Sequence, residues 1–164
     1  MKQILTILIV CISMNLSAQV DGVGIGTTNP QSTLDINGNL SLKVVSLNGG
    51  PGGSATPIDD GTYINLTPTA GNVEFILPDA TLYPGRIYIL RNVSDNVNAT
   101  IYTFGGNATP GAGVEFFSGD SRASAGPFGS VTMTPDTAAD GGDITKTLIF
   151  ISDGSNWTYG SLGL

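Results

Sequence analysis

The chain has 164 residues, only 12% of them charged, and its 13 acidic and 6 basic residues give a net charge of -7. Its few cations are scattered along the sequence, so the basic cluster that nucleic-acid binding requires is missing. The sequence has no histidine, which excludes a Ser-His-Asp triad, a Cys-His pair and a histidine-ligated metal.

The first residues, MKQILTILIVCISMNLSAQV, have the organisation of a secretory signal peptide. Their apolar run is shorter than the ~20 residues that a membrane-spanning helix needs. We therefore predict cleavage after Ala18, removal of residues 1–18 and export to the extracellular space or the cell surface. The mature chain is then predicted to lack a transmembrane segment and any cysteine, because Cys11 lies in the apolar run. The alternative is a lipoprotein acylated on Cys11, for which Val10 is bulkier than the small residue expected there.

Strand-forming and turn-forming residues alternate through the rest of the sequence. Short runs of valine, isoleucine, phenylalanine and tyrosine are separated by glycine, proline, asparagine and aspartate, which collect at turns. No segment has apolar residues at helical spacing over three turns. The sequence therefore predicts an all-β protein.

An N-terminal stalk is predicted for residues 19–57. It begins with GVGIG, where glycines alternate with Val23 and Ile25 and leave a bare face that another backbone can approach. The Asn37-Gly38 pair, between alternating apolar runs ending at Val44, predicts a β-hairpin with a type I′ turn. Residues 48–57, NGGPGGSATP, are predicted to be a flexible Gly/Pro linker. The alternative is one continuous domain with a long loop.

Residues 58–164 are predicted to form a head domain with several short strands. Strands at this spacing, separated by turn residues, indicate a β-sandwich or a barrel-like fold. The residues predicted to face its core are Ile64, Leu66, Val73, Phe75, Leu77, Ile87, Ile89, Ile101, Phe116, Val131, Leu148 and Phe150.

Three stretches of the sequence carry a resemblance. VGIGTTNPQSTLDINGNL resembles the GIGT..P...LDV.G segment of phage tail-fibre and tail-spike proteins and of secreted surface proteins of Bacteroidetes. FILPDATLYPGRIYILRNVSD and LIFISDGSNWTYG are similar to a β module that often follows it. The resemblance covers about residues 22–47 and 61–160. It implies an extracellular protein, commonly a trimer wound about a threefold axis, whose distal module contacts a surface.

The function expected from these observations is structural or adhesive. A glycine-rich strand and a hairpin with a small apolar face cannot build a core in one copy, whereas three copies could bury those faces together. We therefore predict a homotrimeric stalk and head that displays a binding surface to a cell-surface glycan or protein. The alternative is a monomeric secreted carbohydrate-binding module. Catalysis is not predicted, because Glu74 and Glu115, the only glutamates, are expected to face solvent on outer sheet faces.

Two kinds of binding residue can be proposed from the sequence. The acidic turn DTAADGGD offers Asp136, Asp140 and Asp143 as calcium ligands, and a second turn offers Asp153 and Asn156. No other cofactor is predicted.

Aromatic residues are the second kind. Tyr83, Trp157 and Tyr159 are candidate ligand contacts, because exposed aromatic rings can stack on sugars. For Trp157 the competing interpretation is that it covers one end of the core.

Overall fold

The computed structural model describes residues 22–104, 113–119, 129–135 and 146–162. These residues form strands and one short 3-10 helix, Ala80–Leu82, with no α-helix among them. The predicted all-β class is therefore confirmed. Within the described ranges, no helix is long and apolar enough to cross a membrane. The predicted leader, with Cys11, and the candidate calcium ligands Asp136, Asp140 and Asp143 lie outside them.

The chain divides into two compact units between Ser41 and Leu42. We call them the N-terminal unit and the head. In the N-terminal unit, β1 (Val23–Ile25) pairs with β2 (Leu34–Ile36) in parallel, and Val23 lies opposite Leu34. Two hydrogen bonds extend the pairing, from Val23 N–H to Thr33 O at 2.7 Å and from Asn37 N–H to Ile25 O at 2.9 Å.

The predicted hairpin at Asn37-Gly38 is wrong. A type I′ turn needs positive φ at both central residues, and among the described residues every positive φ belongs to a glycine other than Gly38. The competing contact comes from the bare glycines. A Cβ on Gly22 would lie 2.2 Å from the Ser32 carbonyl oxygen, so only glycine lets that backbone approach. The bare face was recognised correctly, but the backbone that uses it belongs to β2.

The strands of the head, in chain order, are β3 (Val44–Asn48), β4 (Gly50–Pro51), β5 (Thr56–Pro57), β6 (Tyr63–Thr67), β7 (Asn72–Ile76), β8 (Ile87–Asn92), β9 (Ala99–Tyr102), β10 (Phe116–Ser118), β11 (Ser130–Met133), β12 (Thr147–Ser152) and β13 (Trp157–Ser161). They form a six-stranded sheet in the order β10-β13-β12-β8-β6-β3 and a second sheet in the order β11-β9-β7-β4, with β5 also paired to β7. The two sheets form a β-sandwich.

The chain alternates between the two sheets from β6 to β9. β6 and β8 are parallel neighbours in the six-stranded sheet, while β7 and β9 are parallel neighbours in the other. Parallel neighbours need a crossover connection. Here the crossover between β6 and β8 contains β7, a strand of the opposite sheet, so each turn of chain adds one strand to each layer. Antiparallel β12 and β13 complete the six-stranded sheet beside β8.

Residues 48–57, predicted as a linker, belong to the head. Gly50 is buried, and β4 and β5 both pair with β7. A Cβ on Gly49 would lie 2.1 Å from the Asn72 carbonyl oxygen. The glycines of this segment therefore serve close backbone packing, and the division between the units falls earlier than the predicted limit after Pro57.

Apolar side chains from both sheets form one core. Its buried members are Ile58, Ile64, Leu66, Phe75, Leu77, Ala80, Tyr88, Leu90, Ala99, Ile101, Val114, Phe116, Val131, Met133, Leu148, Phe150 and Trp157. Most of the predicted core positions are among them, but those on β8 are on the wrong face. Ile87 is 43% exposed and Ile89 is half-buried, whereas Tyr88 and Leu90 point inward. Both faces of this strand are apolar, so alternation alone does not select one.

Two of the sequence segments that carry the resemblance meet at one end of the head. Ser152 Oγ donates to the Ala80 carbonyl oxygen at 2.9 Å, and Gly85 N–H donates to the Ser152 carbonyl oxygen at 2.9 Å. Trp157 Nε1 donates to the Pro78 carbonyl oxygen at 3.1 Å. The turn between β12 and β13 thus holds the irregular segment between β7 and β8 in place.

Candidate functional site

Tyr83, a predicted ligand contact, lies at the end of the 3-10 helix and is 39% exposed. The Asp79 carboxylate begins this helix by accepting the Thr81 N–H at 2.9 Å. Gly85 then has φ of 75°, a conformation that other residues rarely adopt, and the chain turns back. The turn places the Arg86 guanidinium over the Tyr83 ring, 4.2 Å from its centroid.

The Arg86 guanidinium is held in place from two sides. Besides contacting Tyr83, its Nη1 donates to the Tyr88 hydroxyl at 3.3 Å, and this hydrogen bond raises the pKa of Arg86 above its usual value. The ion pairs within the described ranges are Lys43–Asp60 and Lys146–Asp95, so Arg86 has no carboxylate partner there. Guanidinium has five N–H donors, which leaves several for an anionic or hydroxyl-bearing ligand.

A groove of about 540 Å³ lies beside Arg86. Its other lining side chains include Lys43, Asp59, Asp60, Thr62 and Ile87. The groove therefore combines charged, hydroxyl and apolar groups at one edge of the six-stranded sheet.

The structure corrects the assignment of Trp157 as a ligand contact. Its relative exposure is 0%, and its ring lies 5.7 Å from the Tyr88 ring between centroids. A buried indole cannot stack on a sugar in solvent. Trp157 covers one end of the core, which was the competing interpretation.

Tyr159 is half-buried and packs against the core. Its ring stacks on Phe150 with centroids 5.8 Å apart and meets the edge of Phe116 at 6.2 Å. These contacts give the ring a packing role. Of the three predicted aromatic contacts, Tyr83 has the most accessible ring.

A second groove, of about 680 Å³, lies on the outer face of the five-stranded sheet. It is lined by Gly53, Ser54, Ala55, Glu74, Ile76, Tyr102 and Thr103. Glu74 lies at its centre, where its carboxylate accepts the Gly53 N–H at 2.8 Å and the Tyr102 hydroxyl at 3.3 Å. The sequence analysis placed Glu74 on an outer sheet face but did not connect it with Tyr102. Their sequence separation hides a proximity that the β7–β9 pairing creates.

The Tyr102 hydroxyl is expected to ionise above its ordinary pKa of 10.0, first because burial disfavours the phenolate and second because Glu74 is negative. The raised pKa means that the folded state keeps this proton longer than the unfolded state. Tyr102 therefore contributes stability that is lost as the pH rises from 10.0 through the folded-state pKa. In Glu74→Gln the pKa of Tyr102 should move down, as measured by phenolate absorbance.

Tyr102→Phe identifies which part of that titration curve belongs to Tyr102, because the sequence has other tyrosines. Superimposable curves for the wild type and Glu74→Gln, after subtraction of the Tyr102→Phe curve, would contradict the assigned contact.

Metal-binding residues do not converge in the described ranges, where no group of three or more histidine, cysteine, aspartate or glutamate side chains lies together. The second candidate calcium turn has an ordinary turn geometry. Asp153 Oδ1 accepts the N–H groups of Ser155 at 2.8 Å and Asn156 at 2.7 Å. Asn156 Oδ1 accepts the Glu115 N–H at 3.0 Å. These oxygens are therefore engaged in local structure.

The two glutamates have different surroundings. Glu74 is half-buried on β7, as an outer sheet face requires. Glu115, predicted to face solvent, is instead 9% exposed and precedes β10 in the other sheet. The prediction for Glu115 was wrong because its residue type favours the surface, while its position beside Val114 and Phe116 takes it into the structure.

The N-terminal unit has one apolar face. Because residues paired in register point to the same side, Val23, Leu34, Ile25 and Ile36 share a face, with Gly24 and Asp35 on the other. Val23, Leu34 and Ile25 are 62%, 56% and 54% exposed. No residue from 22 to 41 is buried, so the described part of this unit has no core of its own.

Comparison with protein-family models, with curated proteins and with solved structures gave no significant match. The fold and surfaces therefore define the class of this protein: an all-β chain with a small parallel-strand unit and a β-sandwich head.

Proposed function

We propose that the protein is an exported structural or adhesive protein, in which a trimeric β stalk carries heads that display a binding surface. The N-terminal unit is the stalk in this proposal. The observation that carries it is the apolar face of β1 and β2, which is mostly exposed in a single copy.

A two-stranded sheet is marginally stable in water by itself. The N-terminal unit also lacks a buried residue among those described, so burial within one copy does not stabilise it. Three copies that direct this face toward a common axis would remove it from water, and closed symmetry would prevent further growth. The resemblance of residues 23–40 to tail-fibre segments supports three as the number of copies.

The heads offer two surfaces for a glycan or a surface protein. One is the Tyr83–Arg86 pair beside its groove, and the other is the groove around Glu74 and Tyr102. Each combines an aromatic ring with a charged group. Binding sites of this composition recognise hydroxyl-rich ligands through a ring face and a few directed hydrogen bonds.

Light scattering of residues 19–164 at micromolar concentration tests the assembly. We expect the mass of three chains for the wild type and of one chain for Ile25→Asp, because an unpaired carboxylate at the centre of the apolar face opposes its burial. Thr28→Asp adds the same charge at an exposed position outside the strands and should leave the trimer intact. A wild-type monomer would refute the trimeric stalk.

The second candidate function is a monomeric secreted carbohydrate-binding module, favoured by the same two grooves. It predicts a single-chain mass together with glycan binding. A glycan array that includes neutral and acidic sugars, read beside the light-scattering mass, separates the two functions.

A further inference from the structure

The outer face of the six-stranded sheet has two adjacent rows of apolar side chains. Strand register defines the first row as Val44, Tyr63, Ile89, Ile149 and Gly160, one residue from each of five neighbouring strands. The second row is Ile87, Ile151, Thr158 and Phe117. Within these rows Val44, Ile87 and Ile151 are 60%, 43% and 40% exposed. We call the two rows the apolar head face.

The other outer face of the sandwich shows that this composition is not general. Across the five-stranded sheet, one outward row contains Glu74, Thr100 and Thr132, and the next contains Ile76, Tyr102 and Ser130. That face is mostly polar, as expected for a sheet surface in water. The head therefore has one outer face suited to solvent and one suited to burial.

We propose that the apolar head face packs against the same face of other copies of this chain, around the threefold axis of the proposed trimer. This inference rests on the proposed function and adds a second region of contact to it. The arrangement turns the polar sheet, with its Glu74–Tyr102 groove, toward the outside.

The charge pattern favours a second copy as the occupant. The apolar head face contains no charged residue, although the chain has 13 acidic residues. The next row along the strands is polar and contains Ser46, Asn65, Arg91 and Thr147. A partner recognised by its charge would find one arginine at the border, and the net charge of -7 opposes an anionic membrane. An uncharged apolar face fits an identical face without leaving any buried charge unpaired.

The area of the apolar head face also favours copies that are already joined elsewhere. Six strands about 4.8 Å apart span about 24 Å, and two rows of side chains cover about 13 Å along them, which gives about 300 Å². A standard interface buries about 800 Å² on each partner. The face is therefore too small to hold free heads together, but it can close when the N-terminal units hold three copies side by side.

Cysteine cross-linking of the exported chain, residues 19–164, tests this inference. The predicted mature chain has no cysteine, so Ile149→Cys puts a unique thiol at the middle of the apolar head face. Ile89→Cys, opposite it on β8, is a second variant at the same place. Thr132→Cys, exposed on the other outer face, is the matched control. With a short bismaleimide we expect the main band to shift from one chain to two for both test variants, and not for the control.

The outcomes separate this inference from the proposed function. A trimer by light scattering in which Ile149→Cys and Ile89→Cys cross-link no more than Thr132→Cys overturns the head contact and leaves the trimeric stalk standing. A monomer that does not cross-link overturns both. Adding Ile25→Asp to Ile149→Cys should abolish the cross-link, and persistence of the cross-linked band in that double variant would show that the heads do not depend on the stalk.

Discussion

Replacing Trp157 by alanine is expected to lower the free energy of unfolding by about 3–5 kcal/mol. The indole is fully buried, and it packs against Tyr88 in the core. Its Nε1 also donates to the Pro78 carbonyl oxygen at 3.1 Å, which joins β13 to the segment before the 3-10 helix. The substitution therefore creates a cavity and removes a hydrogen bond at the same place. Urea unfolding followed by circular dichroism measures the loss.

Trp157→Phe separates the two contributions. Phenylalanine retains most of the apolar volume but has no N–H, so the Pro78 carbonyl loses its partner at an expected cost of about 1–3 kcal/mol. Leu82→Ala is the control from the neighbouring 3-10 helix, because Leu82 is 69% exposed and surface substitutions usually change stability by less than about 0.5 kcal/mol. Equal stability of Trp157→Ala and Leu82→Ala would contradict the assigned role of the indole.

Replacing Gly50 by alanine is expected to destabilise the head by about 1–3 kcal/mol, the usual cost of overpacking. A Cβ at this position would lie 1.9 Å from the Ser54 carbonyl oxygen and 3.0 Å from the Thr56 nitrogen. Both are backbone atoms, so no side-chain rotation relieves the clash. The chain between β4 and β5 would have to move, and with it the pairing of both strands to β7.

Gly52→Ala is the matched control in the same segment. Its Cβ would meet only the Glu74 Oε1 atom, at 4.0 Å, and its φ is not positive. Alanine there should be neutral or stabilise by about 0.4–1 kcal/mol, through the lower entropy of the unfolded chain. The emission of Trp157, the only tryptophan, can follow unfolding of both variants. If Gly50→Ala were as stable as Gly52→Ala, the close backbone packing of this segment would be refuted.

Alternation and turn residues were sufficient to predict the all-β class and most of the core. They were not sufficient where both faces of a strand are apolar, as on β8. Exposed Arg91 shares a face with Ile87 and Ile89 and could have indicated the outward side, but buried Asn92 on the opposite face weakens that signal. Strand pairing was the least predictable feature. Asn37-Gly38 favours a local turn, whereas the observed partner of β2 is fixed by close packing at Gly22.

The candidate sites were predictable only in part. Tyr83 was found because it lies in a loop between strands, and it is partly exposed beside Arg86. The groove at Glu74 and Tyr102 depends on which strands are neighbours, and that information is absent from local patterns. The apolar head face is a property of strand register across the sheet, so it could not be recognised before the strand order was known.

The late position of β12 and β13 in the chain has a consequence for biosynthesis. β12 covers the edge of β8, Phe150 lies in the core, and Trp157 fixes the segment at Pro78. A nascent polypeptide that has not yet delivered residues 147–161 therefore leaves the centre of its larger sheet unpaired and part of its core missing. Cooperative folding must wait until these residues have emerged, which keeps a partly synthesised chain pliable enough to pass through a narrow secretion pore.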